Sequence, residues 1–207
     1  MHEAISPMDP IIYTIIFSVF AYLLGSISSA IITCKLMGLQ DPRTTGSRNP
    51  GATNVLRLGG KKAAIITLFG DMLKGLVPVL IAAQYGVDNL TLALVGFLAF
   101  LGHIFPLYYG FKGGKGVATY FGVILGINWQ VGMIALLIWL IVALLLKISS
   151  LSAMVSMFLT PFVLWNFTHS IELTTAVIVM SMIAFWRHTS NILALVSGKE
   201  EKIKSKN

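Results

Sequence analysis

The chain has 207 residues, 56% hydrophobic and only 11% charged, with a formal net charge of +7. Its mean hydropathy is +0.83. A soluble domain carries about 25% charged residues, so this composition excludes an ordinary soluble enzyme and indicates an all-α polytopic membrane protein. The positive charge follows the connections between apolar segments and forms no single patch, which excludes a nucleic-acid binder. The lone cysteine, Cys34, has no internal disulfide partner and reads as an apolar helix residue.

Residues 1–10 contain Glu3 and Asp9 but no Lys or Arg. A start without a basic region argues against a cleaved signal peptide. Apolar segments then fall at about 11–33, 63–85, 90–107, 114–127, 129–146, 151–167 and 173–186. Crossing a bilayer takes roughly 20 residues, so 114–127 is marginal. The first segment holds Gly25-Ser26-Ile27-Ser28-Ser29, small enough for another helix to approach closely. The second holds Asp71 and Lys74, which share a helix face and can neutralise each other. The third ends at His103 and Pro106. The last is followed by Arg187-His188-Thr189-Ser190-Asn191 and a basic tail over 199–207. No fixed-period repeat is visible, and the whole chain reads as one membrane-embedded domain.

Lys74 apart, Lys and Arg fall in four connections. The first loop has Lys35, Arg43, Arg48, Arg57, Lys61 and Lys62. The loop after the third segment has Lys112 and Lys115, and Lys147 stands alone. The end of the chain has Arg187, Lys199, Lys202, Lys204 and Lys206. Positive residues stay cytoplasmic. This predicts seven transmembrane helices, with the N-terminus outside and the C-terminus cytoplasmic. If 114–127 and its successor form a re-entrant pair, five crossings remain.

Two donor-rich runs would then share the cytoplasmic face. Gly46 to Arg57 combines glycines, hydroxyls, amides and two arginines with no Asp or Glu. Gly110-Phe111-Lys112-Gly113-Gly114-Lys115-Gly116 is the second. Free backbone N–H groups, hydroxyls, ammonium and guanidinium all suit a phosphate. The Ser149-Ser150 turn, Arg187, His188 and Asn191 join them. A substrate with phosphate in water and an acyl chain in lipid fits such a boundary. No G-x-x-x-x-G-K-[ST], G-x-G-x-x-G or G-x-S-x-G is present, nor H-x-x-x-x-D, H-E-x-x-H or a Cys/His cluster. His2 and His169 lie in external connections and read as solvated residues.

Three ordered motifs carry a resemblance. They are Gly46-Ser47-x-Asn49-x-Gly51-Ala52-Thr53-Asn54-x-x-Arg57, then Gly102-His103-x-x-Pro106 leading to Phe111-Lys112-Gly113-Gly114-Lys115-Gly116-Val117-Ala118-Thr119, then His188-x-x-Asn191-Ile192 with Gly198-x-Glu200. Together they resemble the bacterial acyl-phosphate:glycerol-3-phosphate acyltransferases, the PlsY family. The likeness extends to Gly25-Ser26, Asp71-x-x-Lys74-Gly75 and Ser150-Leu151, and covers nearly the whole chain. It departs at Arg48, where the family usually has glycine, and at Ala194, where the third motif has arginine. Arg187 is the one nearby candidate to compensate.

The resemblance implies a seven-helix fold in the bacterial inner membrane with a cytoplasmic site. It implies acyl transfer from a fatty acyl phosphate to the 1-hydroxyl of glycerol 3-phosphate, giving lysophosphatidic acid and inorganic phosphate. Membrane lipid is a further partner, and no metal or other cofactor is implied. An acyl phosphate is already activated, so the enzyme needs no Ser or Cys nucleophile; positioning and electrostatics suffice. Ser47, Asn49, Arg57 and Lys115 are expected to hold phosphate groups, with His188 and Asn191 on the glycerol phosphate. Supporting substrate contacts are expected from Ser26, Gly51, Thr53, Asn54, His103, Lys112, Gly113, Gly114, Gly116, Thr119, Ser150 and Glu200. Among these, Thr53 and Asn54 orient the first loop, while Asp71 and Lys74 play a structural part. The hydroxyl proton goes either to His188 or to a phosphate oxygen of the donor. The second is favoured, since a histidine beside phosphate tends to be held protonated.

A transporter of a phosphorylated solute is the competing reading, suited by Asp71 and Lys74 inside the membrane. Against it, the external connections carry no basic residue and no matched pair of broken helices is visible. A non-catalytic scaffold would have no use for acid-free, glycine-rich loops.

Overall fold

The computed structural model describes residues 9–203, all of whose regular elements are helical. Helix α1 (Pro10–Gly25) opens behind Asp9, whose carboxylate accepts the Ile11 N–H at 2.8 Å. Pro10 fits the first helical position, where no N–H is needed. The chain breaks at Ser26-Ile27-Ser28, and Ser28 caps α2 (Ser29–Leu36). The expected span 11–33 is therefore two helices, which together give Pro10–Leu36 the length and apolarity of a crossing.

Helix α3 (Ala52–Gln84) starts well before the expected 63. Part of the region expected to be loop is therefore helix. Its first two turns escaped an average over hydropathy because they are polar outside, while Asn54 and Val55 are buried. Gly60, at φ 75°, kinks the helix between the two parts, a conformation that glycine adopts at little cost.

Asp88 caps α4 (Asn89–Ile104) through the Thr91 N–H at 2.7 Å, and a 3₁₀ turn follows at Leu107–Tyr109. Then come α5 (Val117–Ile127), α6 (Trp129–Leu146), α7 (Ser149–Thr168) and α8 (Ile171–Arg187). Asn128 caps α6 and Ser170 caps α8. Helix α9 (Thr189–Val196) turns by 60° from α8. Only eight residues long, it gave no separate hydropathy signal.

Among the described residues, five helical stretches are long and apolar enough to cross a membrane, or six if the bent α8–α9 pair counts as one. This is a multi-pass membrane protein. Each expected apolar segment is helical over most of its length, the first as two helices, but α5 has only 11 residues. At 1.5 Å per residue it extends about 16 Å, short of a hydrocarbon core of roughly 30 Å. The expected basic tail over 199–207 is described only as far as Ile203; Lys204 and Lys206, like His2 and Glu3, lie outside the described residues.

Helix α3 packs along α5, α1 along α4, and α6 along α7. Gly122 of α5 lies against the Met72 carbonyl of α3, where any Cβ would collide with backbone. Lipid tails are as apolar as the side chains, so packing and interhelical hydrogen bonds hold such a bundle together. Ser156 Oγ donates to the Ala135 carbonyl at 2.6 Å, joining α7 to α6. Ser181 Oγ donates to the Met157 carbonyl at 2.9 Å, joining α8 to α7. Thr119 Oγ1 donates to the Asp71 carbonyl at 2.8 Å, joining α5 to α3. One end of the bundle thus gathers the first residues of α3, α5 and α7 with the last of α4 and α8.

Candidate active site

A cavity of about 220 Å³ opens at that end. Its polar wall comes from Ser47, Asn49, Thr53, Asn54 and Arg57, from His103 and Lys115, and from Ser149, Ser150, His188, Asn191 and Glu200. Gly51 and Gly116 also line it. Its other wall is apolar, formed by Leu68, Met72, Phe121, Leu136 and Trp139. All six residues expected to act catalytically are brought together here.

Asn54 shapes the first loop. Almost fully buried, its amide donates to the carbonyls of Pro42 at 2.9 Å and Thr45 at 3.0 Å. Its oxygen accepts the Ser47 N–H at 3.0 Å. A short polar side chain at the start of α3 thereby fixes the loop that presents Ser47 and Asn49. Asp41 braces the same loop by pairing with the Arg43 guanidinium at 2.7 Å. Thr53 Oγ1 meets Ser149 Oγ at 3.3 Å, linking α3 to α7.

A hydrogen-bonded chain crosses the cavity. Lys115 Nζ donates to Asn191 Oδ1. Asn191 Nδ2 donates to Glu200 Oε1 at 2.6 Å, and Ser150 Oγ donates to the same oxygen. Burial pushes the Lys115 ammonium below its ordinary value; the Arg57 and Arg187 guanidiniums act in the same direction, against Glu200. Arg57 pairs with Glu201 at 3.0 Å. The last described residue, Ile203, donates its N–H to the Lys147 carbonyl at 2.7 Å and itself lines the cavity. His188 is 2% exposed, and its Nδ1 faces the Ala184 carbonyl at 2.7 Å. A nitrogen facing a carbonyl carries the proton. Burial pushes the His188 imidazole down to about 4, so the ring is neutral rather than held protonated as expected, with Nε2 left as an acceptor.

Beneath the polar wall, Lys74 Nζ lies 2.9 Å from Asp71 Oδ1 and donates to the Ile27 carbonyl at 2.7 Å. His103 Nδ1 is 3.7 Å from the same carboxylate oxygen. Asp71 and His103 reach the cavity, whereas Lys74 does not. Gly114 is wedged where the motifs meet. A Cβ there would collide with His103 Nε2 and lie 2.9 Å from the Pro50 carbonyl oxygen.

Five expected substrate contacts are placed elsewhere. Ser26 Oγ is spent on the Tyr22 carbonyl at 2.8 Å, at the end of α1. Thr119 is spent on the Asp71 carbonyl. Lys112 is exposed, off the cavity lining, and the buried Gly113 and Gly114 lie off it too. Arg187, the candidate to replace the missing arginine at Ala194, is also absent from the lining; it donates to the carbonyls of Gly113 and Gly114. Sequence reasoning missed Glu201 and the apolar wall. Glu201 stands next to the motif's Glu200 but outside the motif, so nothing marked it, and cavity-facing and lipid-facing leucines look alike in sequence.

The fold defines a multi-pass helical membrane protein with a polar cavity, lined by Arg57 and Lys115, at one end of its bundle. The family profile described as "Glycerol-3-phosphate acyltransferase" matches residues 15–198. A glycerol-3-phosphate acyltransferase of Methylococcus capsulatus (strain Bath) is 54% identical over 187 residues, 90% of this chain and 94% of that protein. One of Thioalkalivibrio sulfidiphilus is 55% identical over 186 residues, 90% of this chain and 92% of that protein. A crystal structure of PlsY (YgiH), an integral membrane glycerol 3-phosphate acyltransferase in its glycerol 3-phosphate form, superposes with a TM-score of 0.88 at 37% identity. The match covers 92% of this chain and 96% of that one. The lysophosphatidic acid form gives 0.86 at 35% identity, covering 93% and 96%. The chain belongs to the glycerol-3-phosphate acyltransferase family.

Proposed function

We propose that the protein transfers a fatty acyl group from acyl phosphate to the 1-hydroxyl of glycerol 3-phosphate, releasing lysophosphatidic acid and inorganic phosphate. The observation that carries this reading is one cavity with two unlike walls. Ser47, Asn49, Arg57, Lys115, His188 and Asn191 line one side, and an apolar cleft between α3, α5 and α6 lines the other. Phosphates belong on the first wall and an acyl chain on the second.

In this scheme Arg57 and Lys115 exchange their protein partners, Glu201 and Asn191, for substrate phosphates. Charge-assisted hydrogen bonds favour that exchange. Ser47 and Asn49 complete the phosphate contacts, Asn191 holds the glycerol phosphate, and His188 Nε2, unprotonated, accepts from a glycerol hydroxyl. The 1-hydroxyl oxygen attacks the acyl carbonyl carbon, the carbon–oxygen bond to phosphate breaks, and the hydroxyl proton leaves on the departing phosphate. Lys115 and the N–H groups at the start of α5 offset the negative charge that develops.

The orientation follows from the positive-inside rule: the N-terminus is outside, the C-terminus and the cavity face the cytoplasm, and α5 counts as the seventh crossing of the bacterial inner membrane. Purified protein given acyl phosphate and glycerol 3-phosphate should release phosphate and form the ester in equal amounts, each dependent on both substrates. A transporter would move solute and form no ester, and that result would overturn the proposal.

A further inference from the structure

We infer that Arg187 is a positioning residue: by holding the Gly113 and Gly114 carbonyls, it keeps both oxygens turned from the cavity and so sets the affinity for a substrate phosphate without touching it. The inference rests on the proposed reading of this loop as a phosphate holder.

Arg187 is the last residue of α8, half-buried beside the loop. Its Nη2 donates to the Gly113 carbonyl at 3.0 Å, and its Nε donates to the Gly114 carbonyl at 3.2 Å. Two donors of one rigid fork therefore engage two consecutive carbonyls, which a flexible ammonium cannot reproduce. In a trans peptide the carbonyl and the following N–H point in opposite directions. Drawing the Gly114 carbonyl onto Arg187 turns the Lys115 N–H away from it, to the side where Lys115 and Gly116 line the cavity. The N–H groups of Lys115 and Gly116 have no acceptor among the described residues. The Gly114 N–H is spent on the His103 carbonyl at 3.3 Å.

The clamp answers a specific weakness. Gly113 and Gly114 have no side chains to fix their backbone, and glycine readily visits conformations closed to other residues. Released from Arg187, the peptide between Gly114 and Lys115 can rotate and present its carbonyl oxygen to the cavity. An oxygen facing a phosphate removes a donor and adds repulsion. Arg187 also joins the start of α5 to the α8–α9 bend, so the loop and His188 keep their spacing.

The test is steady-state kinetics of Arg187→Ala and Arg187→Lys, with KM measured for each phosphorylated substrate in turn. Losing one oriented donor to an anion should raise KM for one of the two substrates on the order of tenfold. KM for the other should stay within about twofold, the clamp acting on one phosphate site, and kcat should fall less than the affected KM rises. Arg187→Lys keeps the charge but not the fork and should fall between wild type and Arg187→Ala. Unchanged KM values in Arg187→Ala would overturn the inference, as would a uniform loss of kcat alone, the signature of a smaller folded fraction. If Arg187→Ala does not fold, Arg187→Lys decides: a wild-type KM refutes the clamp. Lys115→Ala separates this from the underlying reading. A raised KM in Lys115→Ala with none in the Arg187 variants sinks the clamp alone; no change in either sinks the phosphate site.

Discussion

Replacing Asp71 by asparagine isolates the buried pair on which the polar wall stands. Asp71 is 2% exposed and Lys74 5%, and they lie 2.9 Å apart in α3. Asparagine keeps the shape and removes the charge. Lys74 would retain only the Ile27 carbonyl, a neutral dipole facing a full charge. Removing one member of a buried pair typically costs about 3–5 kcal/mol, because the other charge is left uncompensated. For a chain of this size that corresponds to a drop of roughly 6–20 °C in unfolding temperature. Removing both charges, in Asp71→Asn with Lys74→Met, leaves no stranded ion and should recover most of the loss. The assay is thermal unfolding of detergent-purified protein at one scan rate, across wild type, both single variants and the double variant. A double variant no more stable than Asp71→Asn, or an Asp71→Asn cost below about 1 kcal/mol, would refute a mutually neutralising pair.

Other outcomes follow from the same geometry. Lys115→Ala should cut turnover by about a hundredfold or more in the phosphate-release assay, since a phosphate loses a charge-assisted partner; Ser47→Ala, losing one neutral hydrogen bond, should cost about tenfold or less. Gly114→Ala should raise KM and destabilise by about 1–3 kcal/mol, because its Cβ forces His103 and the Pro50 carbonyl apart; kinetics and melting read the two effects separately. Burial holds the Lys115 ammonium below its ordinary 10.5, so the charged form is lost earlier on the alkaline side than for an exposed lysine. KM for the phosphate it holds should therefore rise as pH climbs through that lowered value, and Lys115→Arg, which stays charged, should flatten the rise.

The helices were legible wherever twenty apolar residues run together: α6 coincides with its expected segment at both ends. Hydropathy failed where a helix is polar on one side. It dismissed the first turns of α3, because Thr53, Asn54 and Arg57 outweigh Val55 in any average, and it could not separate α1 from α2 at Ser26-Ile27-Ser28. The donor-rich motifs pointed to residues that meet in one cavity, because glycine, lysine and amide clusters are rare in so greasy a chain. Thr119 ends the second motif and Ser26 shares the wider resemblance, yet both satisfy helix carbonyls; hydroxyls do both jobs, and sequence does not separate them. Arg187 was legible as a cation near the site but not as a loop clamp, since its partners are backbone oxygens.

The most direct measurement is a structure of this protein with glycerol 3-phosphate bound. The account predicts its phosphate inside the cavity, within hydrogen-bond distance of Arg57 from the 47–57 segment or Lys115 from the 113–116 loop, with the 1-hydroxyl turned toward the apolar wall. A phosphate bound outside this cavity, with Lys115 still on Asn191 and Arg57 still on Glu201, would contradict it.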